Sequence, residues 1–253
     1  LSGPLSNPFM FSSAASKGAV DLLEADADSD TFVCEFTGDG DETGAGGGLS
    51  GSDLVLTEAG TVSNASDGWR TLNDGAFRPT SAWIDHFFNG HDGDERTLAM
   101  HVRNVDITPS GEGEANGLFN WVGSPAHDAW YLYIPSGGGN ADKLSLINMT
   151  GNAGVGIDNT QFSGSNLFSA TDDVWICWWQ DGTYDRFGWV EDDAPSKWSD
   201  FPSAQRATAS FDGAYGVNTA ANYGFGIQNA SVSGRFEINR VVMSLSGTII
   251  END

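Results

Sequence analysis

Four acids alternate along Glu24-Ala-Asp26-Ala-Asp28-Ser-Asp30. On a strand, alternation would set all four on one face. Two carboxyl groups about 5–5.5 Å apart can cleave a glycosidic bond with retention. The residues between these acids are small, and the segment lacks the aromatic neighbours a sugar cleft needs. A solvated acidic turn, or part of a metal loop, is therefore expected there. Glu191-Asp192-Asp193 follows a candidate strand, but adjacent positions face opposite ways. No Gly-x-Ser-x-Gly elbow occurs, and His86, His91, His101 and His127 form no helical i, i+4 pair. His101 is expected to be a strand-face residue hydrogen-bonded to a neighbour. These residues point to a chain without a catalytic apparatus.

Binding chemistry has better candidates. Hard cations want several carboxylate, amide and carbonyl oxygens on one loop. Asn89-Gly-His-Asp92-Gly-Asp94-Glu95 offers such a set, so Asp92 and Asp94 are the candidate calcium ligands. Gly38-Asp39-Gly-Asp41-Glu42 is a second acidic loop, and neither follows the EF-hand spacing. Glycans stack their CH faces on aromatic rings while their hydroxyls reach polar groups. Trp69 (in Asp67-Gly-Trp69-Arg70) and Trp198 (in Ser196-Lys-Trp198-Ser199) sit in polar, loop-like settings, and they are the candidate glycan platforms. Trp121, Trp175, Trp178 and Trp179 lie inside candidate strands and should pack. Cys34 and Cys177 show no zinc or redox spacing, so two buried free thiols are expected.

The elements that must position these residues are β-strands. Short aromatic and β-branched runs alternate with Gly, Asn, Asp and Ser clusters. Strands are expected over residues 31–36, 53–57, 82–88, 97–105, 118–122, 130–134, 143–149, 174–179, 186–190, 223–227 and 236–245. In 97–105, Leu98, Met100 and Val102 share one face and Thr97, His101 and Arg103 the other. The run 174–179 is apolar on both faces and should be central, with 186–190 as its hairpin partner. The best helix candidate is short, from Lys17 to Asp26. Residues 38–52 and 151–166 read as Gly-rich polar loops.

Charge narrows the partners. The chain of 253 residues holds 35 acids against 11 bases, a net charge of −24. Such a surface repels nucleic acid and anionic membranes. No run approaches 18 apolar residues, so no membrane-spanning helix is expected. Leu1 to Met10 shows no basic and apolar leader pattern, although a processed chain would look the same. The amino-terminal segment carries Pro4, Pro8, Phe9, Met10 and Phe11. It reads as an extended arm that docks onto something else or packs on the core of its own domain.

A set of segments resembles a known group. They are Gly93-Asp-Glu-Arg-Thr-Leu-Ala-Met-His-Val-Arg103, Gly117-Leu-Phe-Asn-Trp121, Trp130-Tyr-Leu-Tyr133 and Lys143-Leu-Ser-Leu146. Val174-Trp-Ile-Cys-Trp-Trp-Gln-Asp-Gly182, Tyr223-Gly-Phe-Gly-Ile227 and Gly234-Arg-Phe-Glu-Ile-Asn-Arg-Val-Val-Met243 complete it. The pattern is similar to concanavalin A-like lectin/glucanase domains in their laminin-G-like or pentraxin-like form, over about Asp53 to Ile249. Hydrolases on that fold place catalytic acids as Glu-x-Asp-x-Glu, from which Glu24, Asp26 and Asp28 depart. Laminin-G-like relatives often hold a calcium at a loop edge, where Asp92 and Asp94 would lie. The opening Ser2-Gly-Pro-Leu-Ser-Asn-Pro-Phe-Met-Phe-Ser-Ser13 resembles arms of concanavalin A-like virion proteins of tailed bacteriophages.

The resemblance implies an all-β concanavalin A-like jelly-roll β-sandwich over residues 21–253 with an extended N-terminal arm over 1–20. The first functional expectation is a non-enzymatic virion subunit at the particle surface: a decoration, fibre or tail-associated protein. It would dock to other virion subunits and form a homo-oligomer. The alternative is an extracellular lectin-like module that recognises a host-surface glycan, with calcium as its one candidate cofactor. A glycan-active hydrolase or lyase comes third.

Overall fold

The computed structural model describes residues 27, 30–65, 68–88, 95–106, 115–122, 129–135, 144–149, 157–161, 173–180, 184–191, 193–210, 222–228 and 231–245. The chain order begins with β1 (Thr31–Glu35), β2 (Glu42–Thr43), β3 (Ala45–Gly46), a 3-10 turn (Gly51–Leu54), β4 (Val55–Asn64) and β5 (Arg70–Arg78). Helix α1 (Ser81–Phe87) follows, then β6 (Arg96–Arg103), β7 (Ala115–Val122), β8 (Ala129–Pro135), β9 (Ser145–Met149) and β10 (Ile157–Gln161). Next are β11 (Val174–Gln180), β12 (Tyr184–Glu191), two 3-10 turns (Trp198–Asp200 and Ser203–Gln205) and β13 (Arg206–Ser210). The chain closes with β14 (Asn222–Phe225), β15 (Ile227–Gln228), β16 (Ser231–Val232) and β17 (Gly234–Ser244).

Pairing is antiparallel throughout these strands and follows two paths. One runs β3-β1-β17-β6-β11-β12-β13, and the other β2-β4-β5-β14-β7-β8-β9-β10. They join where the start of β17 pairs β5, from Gly234↔Gly75 to Ile238↔Arg70, before the rest of β17 passes to β1 and β6. One connected sheet thus curls on itself as a jelly-roll sandwich, and its far edges, β10 and β13, approach each other.

The core fills the space between the layers. Leu98, Met100 and Val102 of β6 and Ile176 and Trp178 of β11 face it from one side. Leu72, Phe77, Phe119, Leu132 and Phe225 face it from the other. Phe88 lies stacked between Phe119 (5.8 Å) and Trp178 (6.2 Å), linking the two layers. Strand β11 is buried at every position, as a strand covered on both faces must be.

Residues 82–88 correct the strand expected there. They form α1 and its C-cap because Thr80 caps the start, accepting from the Trp83 N–H at 3.2 Å, and because Trp83, Ile84 and Phe87 make a helical stripe. Strand alternation would have split that stripe between two faces. Strands β5, β10, β13 and the short β16 have no counterpart among the expected strands. Residues 38–52, expected as loop, contain β2, β3 and a 3-10 turn. Arg70 fixes them in place. It bonds Glu42 and the Gly40 carbonyl (3.0 Å), and its Nη2 donates to Glu58 at 2.8 Å. Among the described residues no helix is long and apolar enough to cross a membrane.

Candidate functional site

The second face of the β13-β12-β11-β6 sheet, turned away from the core, carries the most unusual chemistry. Cross-strand register sets its side chains in rows. Arg186 of β12 lies opposite Trp179 of β11 and Thr208 of β13, and Gly188 lies opposite Cys177 and Arg206. The segment after β12 folds back over this face, so Ala99, Trp175, Cys177, Trp179, Phe201 and Val242 form a second apolar cluster. Gly188 makes the docking possible. A Cβ there would lie 2.5 Å from the Phe201 ring, so only a glycine leaves room for it. Asp200 closes the turn, its Oδ2 accepting from the Ser196 N–H (2.8 Å), the Ser196 hydroxyl (3.1 Å) and the Lys197 N–H (3.0 Å). Burial pushes the Asp200 carboxyl up, but those bonds and the Lys197 charge outweigh it and hold it below the usual value.

The docked segment fixes Trp198 at the edge of the cluster. Its ring meets Trp179 edge-on at 5.1 Å and lies 6.2 Å from Phe201, half-buried. Two guanidiniums gather over it, Arg206 at 4.5 Å and Arg186 at 5.2 Å from the ring centroid. Arg206 also donates through Nη1 to the Trp198 carbonyl. Arg186 reaches the Tyr184 ring as well, at 5.7 Å, and Tyr184 is 40% exposed, the one large apolar side chain so exposed among the described residues. Thr208 is exposed beside Arg186. Tyr184, Arg186, Trp198, Arg206 and Thr208 therefore form a ledge of ring faces, planar donors and a hydroxyl.

Trp69 corrects the expectation that it lies outside the core: it is 5% exposed. Its ring packs on His101 at 4.9 Å, under the Arg103 guanidinium at 4.4 Å. His101 stacks in turn on Trp175 at 4.7 Å, with 8° between the planes. The bulge between Ile238 and Arg240 in β17 places the Asn239 Oδ1 2.8 Å from the His101 Nδ1, which donates to it. Burial lowers the His101 pKa, outweighing the Asn239 bond and the Asp173 charge, with Arg103 and Arg240 adding to the lowering.

Other candidates are placed as follows. Asp92, Asp94, Glu24, Asp26, Asp28 and the arm residues Pro4, Pro8, Phe9, Met10 and Phe11 lie outside the described residues. In the second acidic loop, Glu42 bonds Arg70, Asp41 accepts from the Glu58 N–H at 2.8 Å, and Asp39 bonds Asn64. Cys34 and Cys177 are free and buried on opposite faces of the sheet, and burial pushes both thiols up. Trp175, Trp178 and Trp179 pack as expected.

The sequence singles out Trp198 but not the residues gathered around it. Tyr184-Asp-Arg186 alternates around buried Asp185, which was the available signal. A strand begun at Arg186 leaves Tyr184 in the turn. Arg206 and Thr208 lie on β13, whose alternation rests on two small residues, Ala207 and Ala209, and gives a weak strand signal.

No protein-family model matches the chain, and no curated protein matches it. Among solved structures it is similar to domain 4 of AbnA, a GH43 extracellular arabinanase from Geobacillus stearothermophilus solved with arabinotriose. Identity is 13%, with 76% of this chain and 79% of that one covered, at a TM-score of 0.39. It is also similar to the LG1-3 region of the laminin alpha2 chain (13% identity, 60% and 22% covered, TM-score 0.29) and to an endo-1,3-beta-glucanase from Streptomyces sioyaensis (10%, 84% and 72%, 0.29). The chain spans about a fifth of the laminin region.

Proposed function

We propose that this protein is a non-catalytic glycan-binding module whose site is the ledge of β12, β13 and the docked segment. One observation carries the reading: exposed Tyr184 and half-buried Trp198 lie beside Arg186, Arg206 and Thr208 on one face. Sugars bind by laying an apolar CH face on a ring while their hydroxyls find fixed polar partners in the same plane, and the ledge supplies both. The docked segment holds Trp198 in advance, so little ordering cost falls on binding. The ledge residues need no metal to present themselves.

The test is calorimetric titration against a panel of neutral and acidic oligosaccharides, including arabinotriose and β-1,3-gluco-oligosaccharides. The expected result is binding to at least one of them, weakened about tenfold or more in Tyr184→Ala and in Trp198→Ala. Tyr184 is exposed, so its removal leaves the fold intact and separates binding from folding. Unchanged affinity in Tyr184→Ala would overturn the assignment. Binding is expected to persist in chelator. Loss on chelation would move the site to the loop of Asp92 and Asp94.

A further inference from the structure

The ledge is a row rather than a single platform. Tyr184, Arg186 and Gly188 take alternate places along β12, so they share one face at steps of about 7 Å. Phe201 fills the space a side chain at Gly188 would take, and Trp198 lies 6.2 Å from Phe201, so the indole stands at the third step. Arg186 lies at the middle step against both rings, 5.7 Å from the Tyr184 centroid and 5.2 Å from that of Trp198. On β13, Thr208 flanks the middle step and Arg206 the third. The two ends of the row therefore differ. Tyr184 offers an exposed ring for stacking, whereas Trp198 is half-buried against two guanidiniums, whose N–H groups are the donors at that end. A sugar stacked on Tyr184 covers one step of the row and leaves the Arg206 end to the next sugar. Strand β12 is paired on both sides, with β11 and with β13, so the row is fixed before a ligand arrives.

Resting on the glycan reading of this ledge, we infer that its ligand is an interior stretch of a linear polysaccharide, read across at least two adjoining sugars. One sugar stacks on Tyr184, and the next takes hydrogen bonds from Thr208 and Arg206, with Arg186 under the linkage between them. The bond joining the two sugars makes the second contact intramolecular, so each sugar strengthens the hold on the other. Ring faces and hydroxyls are present on every sugar of such a chain, so the row reads the repeat and needs no chain end.

The experiment is calorimetric titration of the full chain with the mono- to hexasaccharides of four linear series: arabino-, β-1,3-gluco-, xylo- and manno-oligosaccharides. Each hexasaccharide is also tested after reduction of its end by borohydride. The parent protein is compared with Tyr184→Ala, whose fold is checked by near-UV circular dichroism. In at least one series the parent's affinity should rise about tenfold or more from the monosaccharide to the trisaccharide and then level off. Tyr184→Ala should bring the trisaccharide close to the monosaccharide, and end reduction should leave the hexasaccharide within about twofold. Equal affinity of the parent for mono- and trisaccharide would overturn this inference and leave the glycan reading standing. Loss of binding on end reduction would do the same, because the chain end would then be what is read. A rise that persists in Tyr184→Ala, with every length weakened alike, would place the second sugar elsewhere and overturn this inference alone. Binding of no member of any series would overturn the inference and the glycan reading together.

Discussion

His101 shows how one residue's setting predicts behaviour. It lies between Trp69 and Trp175, bonded to Asn239, with Nε2 buried and without a hydrogen-bond partner among the described residues. Its pKa in the folded chain lies below the ordinary 6.5. As pH falls through 6.5 the unfolded chain takes up a proton that folded His101 resists, so folding stability falls with pH in that range. Thermal melts between pH 7.5 and 5 should show a steeper loss in the parent protein than in His101→Gln, and equal slopes would contradict this. The residue's strand face was legible from alternation in Thr97-Leu-Ala-Met-His-Val-Arg103, and so was a hydrogen-bonded neighbour. Its partner was not, because the bulge that aims Asn239 depends on the pairing of β17 with β6. Trp69 was misplaced for a related reason: a polar sequence setting says nothing of the His101 and Arg103 side chains that cover it.

At the scale of elements, the docked segment and β12 act as one unit. Gly188→Ala would drive a Cβ into Phe201 and should cost roughly 1–3 kcal/mol, read as a lower urea midpoint with an unchanged slope. The same variant should loosen Trp198 and weaken glycan binding. A stable variant with full binding would show that Phe201 does not hold the ledge. Asp200→Asn removes the charged acceptor from three bonds and should shift Trp198 fluorescence without unfolding the sheet. The strands that were legible are those whose apolar residues alternate or run continuously, β1, β6, β11, β12 and β17 among them. Those that were not, such as β5, β10 and β13, are rich in Asn, Asp, Thr, Ser and Ala, and pairing with neighbours defines them more than their own residues do. Helix α1 has the aromatic and β-branched content of a strand, and only the Thr80 cap and the Trp83, Ile84, Phe87 stripe mark it as helix.

At the scale of the whole molecule, charge and site oppose each other. A net charge of −24 on 253 residues favours expansion, so added salt should raise the melting temperature as the screening length shortens to about 8 Å near physiological ionic strength. A melting temperature that does not rise between low and physiological salt would show that self-repulsion is already offset within the fold. The two thiols lie deep on opposite faces, so a thiol reagent should modify neither until the chain unfolds. Against this acidic envelope, the Arg186, Arg206, Trp198 and Tyr184 ledge is the place where a glycan would be held. Its most direct test is nuclear magnetic resonance of the labelled protein, following the indole Nε1–H of each tryptophan and the guanidinium Nε–H groups during titration with the tightest-binding oligosaccharide. Shifts concentrated at Trp198, Arg186 and Arg206, with Trp178 unmoved in the core, are the predicted result. Saturable binding that leaves those three signals in place would contradict the account.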